Sequence, residues 1–164
     1  MNLIYIGEIV NTHGIKGEVR LISDFKYKEQ AFKQGQKIYV GKRHEELTIN
    51  SYRKHKNYDM ITFEGIDNIN DVIMYKGDSA YIDRENIEID GYFDEDIIGL
   101  DVYDKDKKIG TVEQILKNKA HGILVVQGEE KNHLIPYLAE YVEEIDIDNN
   151  RMNIKVIKGI LNED

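Results

Sequence analysis

Residues Asn11–Glu18 read Asn-Thr-His-Gly-Ile-Lys-Gly-Glu, with two glycines three apart around a lysine and apolar runs on either side. Gly14 and Gly17 can take positive φ and close a hairpin. Successive backbone N–H groups in such a turn can also form an anion nest, with His13 and Lys16 beside it. The segment lacks the long Gly-x-x-x-x-Gly-Lys-Ser/Thr spacing of a P-loop. His13 is of a residue type that suits a general base or a ligand. An enzymatic reading would pair it with Glu18 or Asp24 in a cleft, but no nucleophile or carboxylate stands at a telling spacing from it. His44, His55, His121 and His133 are scattered, with no His-x-x-x-His pair. A side-chain metal cluster is therefore not expected. Asp104-Lys-Asp106 and Asp146-Ile-Asp148 resemble fragments of a calcium loop but lack its glycine and distal glutamate. They read as turns in which Asp bonds its own backbone. The sequence thus predicts no catalytic residue, no metal, no cofactor and no small-molecule substrate.

Binding chemistry is better represented. Lys42-Arg43-His44 and Arg53-Lys54-His55-Lys56 are the main basic stretches. Each suits a solvated hairpin end. With Tyr52 and Tyr58 nearby, Arg53, Lys54 and Lys56 could also touch RNA phosphates while a ring stacks on a base. Tyr92-Phe93 opens the segment Gly-Tyr-Phe-Asp-Glu-Asp-Ile-Ile-Gly, residues 91–99. Adjacent side chains of an extended segment point to opposite sides, so both rings cannot face one core. Packing between domains is one outcome. A protein-binding hot spot rimmed by carboxylates, Asp96 among them, is the other.

The elements that must position these residues follow a period of two. Strands are expected at 3–10, 18–24, 37–40, 46–52, 58–63 and 79–83, with a hairpin turn at Asn57–Asp59. Tyr27–Lys33 suits a short helix. Asp67–Tyr75 suits a better one, capped by Asp67, Asn68 or Asn70, with Ile69, Val72 and Ile73 on one stripe and Gly77 as its stop. The stretch 84–96 is acidic and poorly periodic. Strands resume at 99–103, 108–116, 122–126, 133–135, 142–147 and 152–156, with a lightly docked tail over 159–164. Short strands at regular spacing with polar turns argue for small barrels or sandwiches. The expected fold is all-β: two small six-stranded β-barrels in tandem with one or two short helices. The first spans 1–86, a linker and the start of the second span 87–96, and the second spans 97–164.

Composition narrows the function classes. The chain has 164 residues and no cysteine. Disulfide staples, cysteine-ligated zinc, Fe–S clusters and thiol catalysis are excluded, and a reducing, cytoplasmic setting is expected. No purely apolar run exceeds four residues, too short for a membrane helix. The start, MNLIYIGEIV, has no basic region, so a signal peptide is not expected there. Net charge is −9, from 22 Lys+Arg against 31 Asp+Glu. Residues 1–88 hold 13 against 14, or −1, and residues 89–164 hold 9 against 17, or −8. The acidity belongs to the second half, which suits solubility or a basic protein partner and opposes a phosphate backbone.

Gly7–Leu21, GEIVNTHGIKGEVRL, resembles the N-terminal signature of the ribosome maturation factor RimM family, with Gly7, His13, Gly14, Lys16, Gly17 and Glu18 in place. The second half resembles a PRC-barrel. Tyr92-Phe93 stands at the family's aromatic pair, and Asp96-Ile-Ile-Gly99, Ile109-Gly-Thr-Val112, Leu134-Ile-Pro136 and Val142…Asp146 match its landmarks. Gly159-Ile-Leu161 matches its closing element. The chain departs from the pattern at Asp94-Glu95, where a further aromatic is frequent, and at Lys119–Gly122, where Gly-Ala-Asn is. The resemblance implies a translation-factor-type barrel followed by a PRC-barrel, and an assembly factor rather than an enzyme. It implies binding to a small basic protein of the small-subunit head, the nineteenth in that series, in which Tyr92 and Phe93 take part. It also implies action on the 30S precursor and processing of its 16S rRNA. The alternative is a single-stranded RNA binder acting through Arg53–Lys56.

Overall fold

The structure is a computed structural model that describes residues 1–117 and 121–155. The expected closing element and tail at 159–164, and the end of the last strand at Val156, lie outside the described residues. The chain divides into two compact units, Met1–Asp90 and the part from Gly91 onward.

In the first unit, β1 (Leu3–His13), β2 (Glu18–Ile22), β3 (Lys37–Val40), β4 (Glu45–His55), β5 (Tyr58–Phe63) and β6 (Ser79–Asp83) close into a barrel ordered β1-β2-β5-β4-β3-β6. All its pairs are antiparallel. Closure leaves no strand edge to attract another chain. The interior is built by alternation: Ile4, Ile6, Val19, Leu21, Ile38, Val40, Ile49, Ile61, Phe63, Ala80 and Ile82 are all buried. The register slips between Tyr5 and Gly7 where β1 meets β6. That bulge restores the alternation out of step, so Ile9 turns inward while Tyr5 and Glu8 both point out.

Two helical expectations met different fates. Tyr27–Lys33 contains one turn of helix, α1 (Lys28–Ala31), with Ala31 fully buried. The helix expected over Asp67–Tyr75 is instead two short 3₁₀ turns, Ile69–Asp71 and Ile73–Tyr75. Asn68 does cap the first, accepting from the Asn70 N–H at 2.8 Å. The inward positions are Ile69, Val72 and Tyr75, spaced by three, whereas Ile73 and Met74 are exposed. A spacing of three matches the 3₁₀ repeat and not the 3.6 of an α-helix. The hairpin turn between β4 and β5 falls at Lys56-Asn57, one residue earlier than expected, with Lys56 at φ 54°.

In the second unit, α2 (Asp94–Ile97) precedes β7 (Asp101–Asp104), β8 (Lys107–Lys117), β9 (Gly122–Gln127), β10 (Asn132–Tyr137), β11 (Val142–Asp146) and β12 (Arg151–Ile154). They form a six-stranded sheet ordered β10-β9-β8-β7-β12-β11. The β12–β7 pair is parallel and the others are antiparallel. The outer strands β10 and β11 are joined by a tight turn at Leu138–Tyr141, where the Tyr141 and Val142 N–H groups both donate to the Leu138 carbonyl. The sheet therefore curls back on itself into a barrel-like form. It wraps a core of Ile97, Leu100, Val102, Val112, Leu124, Val126, Ile135, Met152 and Ile154. Gly110 permits that curl. A Cβ there would lie 2.2 Å from the Gln127 carbonyl oxygen on the next strand.

Candidate functional site

The predicted residues fall on two surfaces, one in each unit. In the first, the β1–β2 hairpin carries His13, Gly14, Lys16 and Gly17. Gly14 and Gly17 have φ of 69° and 92°, as a tight glycine turn requires. The Ile15 carbonyl accepts from the Ile69 N–H at 2.9 Å, and a Cβ on Gly17 would meet Ile66 at 3.2 Å. The turn is thus packed against the 66–69 loop, with Lys16 exposed.

Strand β5 lies between β2 and β4, which places Arg20 and Arg53 on either side of Met60 in register. Met60 is fully buried although it shares their face, because arginine stems cover apolar surface while their heads stay wet. The heads are engaged. Arg53 grips Glu18 in two hydrogen bonds, Nε to Oε2 at 2.9 Å and Nη2 to Oε1 at 2.8 Å. That bond holds the Glu18 carboxyl below its usual range and raises the Arg53 guanidinium. Arg20 donates to His13 Nδ1 from Nε at 3.3 Å, with Nη2 at 2.7 Å, and sits 5.5 Å from the Tyr58 ring centroid. His13 also faces His55, with ring centroids 5.9 Å apart. A guanidinium donating to Nδ1 leaves the proton of a neutral imidazole on Nε2. His13 is thus held by an arginine, and Glu18, its expected carboxylate partner in an enzymatic reading, is held by Arg53.

Sequence reasoning missed the centre of this region, Asp59. It has no exposed side-chain surface, yet it pairs with Lys28 at 2.8 Å and Lys54 at 3.6 Å and accepts from the Tyr52 hydroxyl at 2.5 Å. The Tyr52 ring stacks on Phe32 at 5.5 Å. Burial, the bond to Asp59 and its charge push the Tyr52 hydroxyl well above its ordinary pKa. The only signal in the sequence was an acid at a core-facing position of β5. Of the basic segment, Arg53 and Lys54 are therefore paired to carboxylates, while Lys56 stands exposed at the turn.

In the second unit, Tyr92 is half-buried against the sheet core and Phe93 is buried, at 5% exposure. The Asp96 carboxylate accepts from the Phe93 N–H at 3.2 Å, and the Asp96 N–H donates to the Phe93 carbonyl at 3.0 Å. Asp96 thus caps α2. Asp94 ties the same turn to the end of β8 through Lys117 at 2.7 Å. Next to Lys117, Leu116 points outward at 43% exposure, and Leu134 on β10 is 52% exposed. These leucines lie on the sheet's outer face, on which the register also places Ile123 and Pro136.

The sequence pattern of the RimM N-terminal domain matches residues 4–87, and that of the RimM PRC-barrel domain matches residues 94–160. This chain belongs to the RimM family. Among its relatives, the ribosome maturation factor RimM of Staphylococcus haemolyticus is 46% identical over 165 residues, covering 96% of this chain and 98% of the relative. The Staphylococcus epidermidis protein of the same name is 41% identical with the same coverage. A solved RimM structure from Pseudomonas aeruginosa is 22% identical, covers 95% of this chain and 98% of its own, and superposes with a TM-score of 0.44. Among the described residues, no group of three or more His, Asp or Glu side chains is gathered as a metal site. No described helix is long and apolar enough to cross a membrane.

Proposed function

We propose that this protein is a cytoplasmic assembly factor that works by binding. Its second unit holds a small basic protein of the small-subunit head, the nineteenth of that series, on the 30S precursor. It thereby favours one conformation of the maturing head, and 16S rRNA processing follows. RimM membership over both domains carries the reading, and the charge division supports it. The −8 of residues 89–164 complements a basic protein. Tyr92 supplies the half-exposed aromatic, and Asp96 fixes the geometry of the segment while adding charge. Exposed Leu116 and Leu134 provide apolar area on the same unit, with the Asp94–Lys117 pair bringing the Tyr92–Asp96 segment to the end of β8.

Calorimetric titration with the purified head protein tests this. Tyr92→Ala is expected to weaken binding about tenfold, as for a buried aromatic anchor. An unchanged affinity at unchanged melting temperature removes Tyr92 from the site. Absence of any binding by the native chain removes the reading itself.

A further inference from the structure

The Lys42-Arg43-His44 stretch is used neither by the protein-binding surface nor by the Arg20–Arg53 cluster. It forms the turn between β3 and β4, opened by Gly41 at φ 77° and closed by His44 at φ 51°. The His44 N–H donates to the Gly41 carbonyl at 3.1 Å. All three side chains are exposed, and Lys42 and Arg43 form no ion pair among the described residues. That sets them apart from Arg53 and Lys54. The glutamates that follow are engaged elsewhere, Glu45 with the Tyr75 hydroxyl and Glu46 with the Tyr39 hydroxyl and Lys37. Asp78 packs against Gly41 beneath the turn.

Aromatic rings adjoin the turn through His44. The His44 ring meets Tyr81 at 5.2 Å and 72°, and Tyr81 meets Tyr5 at 6.0 Å and 73°. Tyr39, Tyr81 and Tyr5 stand in register on β3, β6 and β1. The inward positions on either side of them, Ile38, Val40, Ala80, Ile82, Ile4 and Ile6, fill the barrel, so the tyrosines lie on its outer side, where Tyr39 is covered at 5% exposure and Tyr81 is half-buried. Tyr5 is 51% exposed. Glu8 and Asp24 lie beyond Tyr5 and act on its hydroxyl. They keep phosphates away from that side and leave the turn as the place for them.

We infer that this surface binds single-stranded RNA, with phosphates at Lys42 and Arg43 and unpaired bases on the rings of Tyr81 and Tyr5. Unpaired cations beside the exposed ring of Tyr5 and the half-exposed ring of Tyr81 suit an unpaired strand, whereas a duplex hides its base faces. The inference concerns the first unit and stands apart from the protein-binding reading of the second.

Fluorescence anisotropy of the full chain with a labelled mixed-sequence oligoribonucleotide of roughly 12 nucleotides tests it at low salt. The double variant Lys42→Glu/Arg43→Glu is expected to lose about tenfold or more in affinity. Its slope of log affinity against log salt should shrink by about 1.4, or two phosphate contacts. Tyr5→Ala should lose about fivefold at unchanged melting temperature. Lys16→Glu/Lys56→Glu, on the neighbouring hairpins, should lose much less. The inference is overturned by absence of RNA binding, by equal binding of a duplex of the same length, or by equal loss in the Lys16/Lys56 variant. It is also overturned if Lys42→Glu/Arg43→Glu spares RNA binding but abolishes capture of a protein.

Discussion

The two units use the same number of strands and carry very different net charge. The first pairs its charges: Glu18 with Arg53, Asp59 with Lys28 and Lys54, Glu46 with Lys37. Its strands close completely, and one carboxylate lies fully inside the fold. The second holds its charges outside an entirely apolar cluster, keeps two outer strands, and carries nearly twice as many acids as bases. Both units pair charges, the second through Asp94–Lys117 and Asp101–Lys108, but residues 1–88 balance acids and bases while residues 89–164 keep a surplus of eight acids. A balanced unit offers little net charge to a partner, whereas an acidic surplus attracts a basic one.

The largest test of this contrast is Asp59→Ala. It strips the partner from Lys28 and from the buried Tyr52 hydroxyl, and should cost the first unit about 3 kcal/mol in denaturant unfolding. If the second unit unfolds as a separate transition, that transition should not move. An effect below about 1 kcal/mol would show that the cluster is not a structural centre.

Next in size are Gly7→Ala and Gly110→Ala, which probe what the units share. Each added Cβ meets a neighbouring strand's carbonyl oxygen, Ile22 at 2.5 Å and Gln127 at 2.2 Å. Backbone cannot move aside as a side-chain tip can, so each should cost about 2 kcal/mol. A large loss at one site and none at the other would break the parallel between the two curled sheets.

The smallest effect is in pH. Glu18 has a lowered folded pKa, mainly through its hydrogen bond to Arg53. Its stabilisation is present above the ordinary value of 4.5 and is lost as pH falls through the lowered folded value. Burial, with a lesser effect from Lys131, lowers the His133 pKa from 6.5. Below 6.5 the unfolded chain binds the proton first, so stability falls as pH drops until the folded form also protonates. Between pH 6.5 and 5 the second unit should weaken before the first, and His133→Gln should flatten that loss. Melting curves across this range that move together in the native chain would remove the distinction.

Much of the strand pattern was legible because burial in a barrel repeats every two residues. Alternation puts Val19 and Leu21 on one face of β2 and Arg20 and Ile22 on the other, and the barrel buries the first pair. The error at Asp67–Tyr75 has the same origin. Three apolar positions within seven residues satisfy both a 3.0 and a 3.6 repeat, and only contact with the barrel wall separates them. The site was legible in parts. The glycine turn at Gly14 and Gly17 followed from residue type, since positive φ is costly for anything with a Cβ. The pairing of Arg53 with Glu18 did not, because 35 residues separate them and only the strand order β2-β5-β4 brings them near.

The sequence by itself determined two all-β units, the seat of the acidity and the membership of the chain in its family. Those depend on periodicity, composition and local motifs, which need no knowledge of what lies across the fold. Tertiary structure alone decided which charges are spent. Arg53 and Arg43 are the same letter, yet the first faces Glu18 two strands away and the second faces water. That pairing depends on a separation of a few ångströms between strands remote in sequence, and the distance is set by the closed sheet.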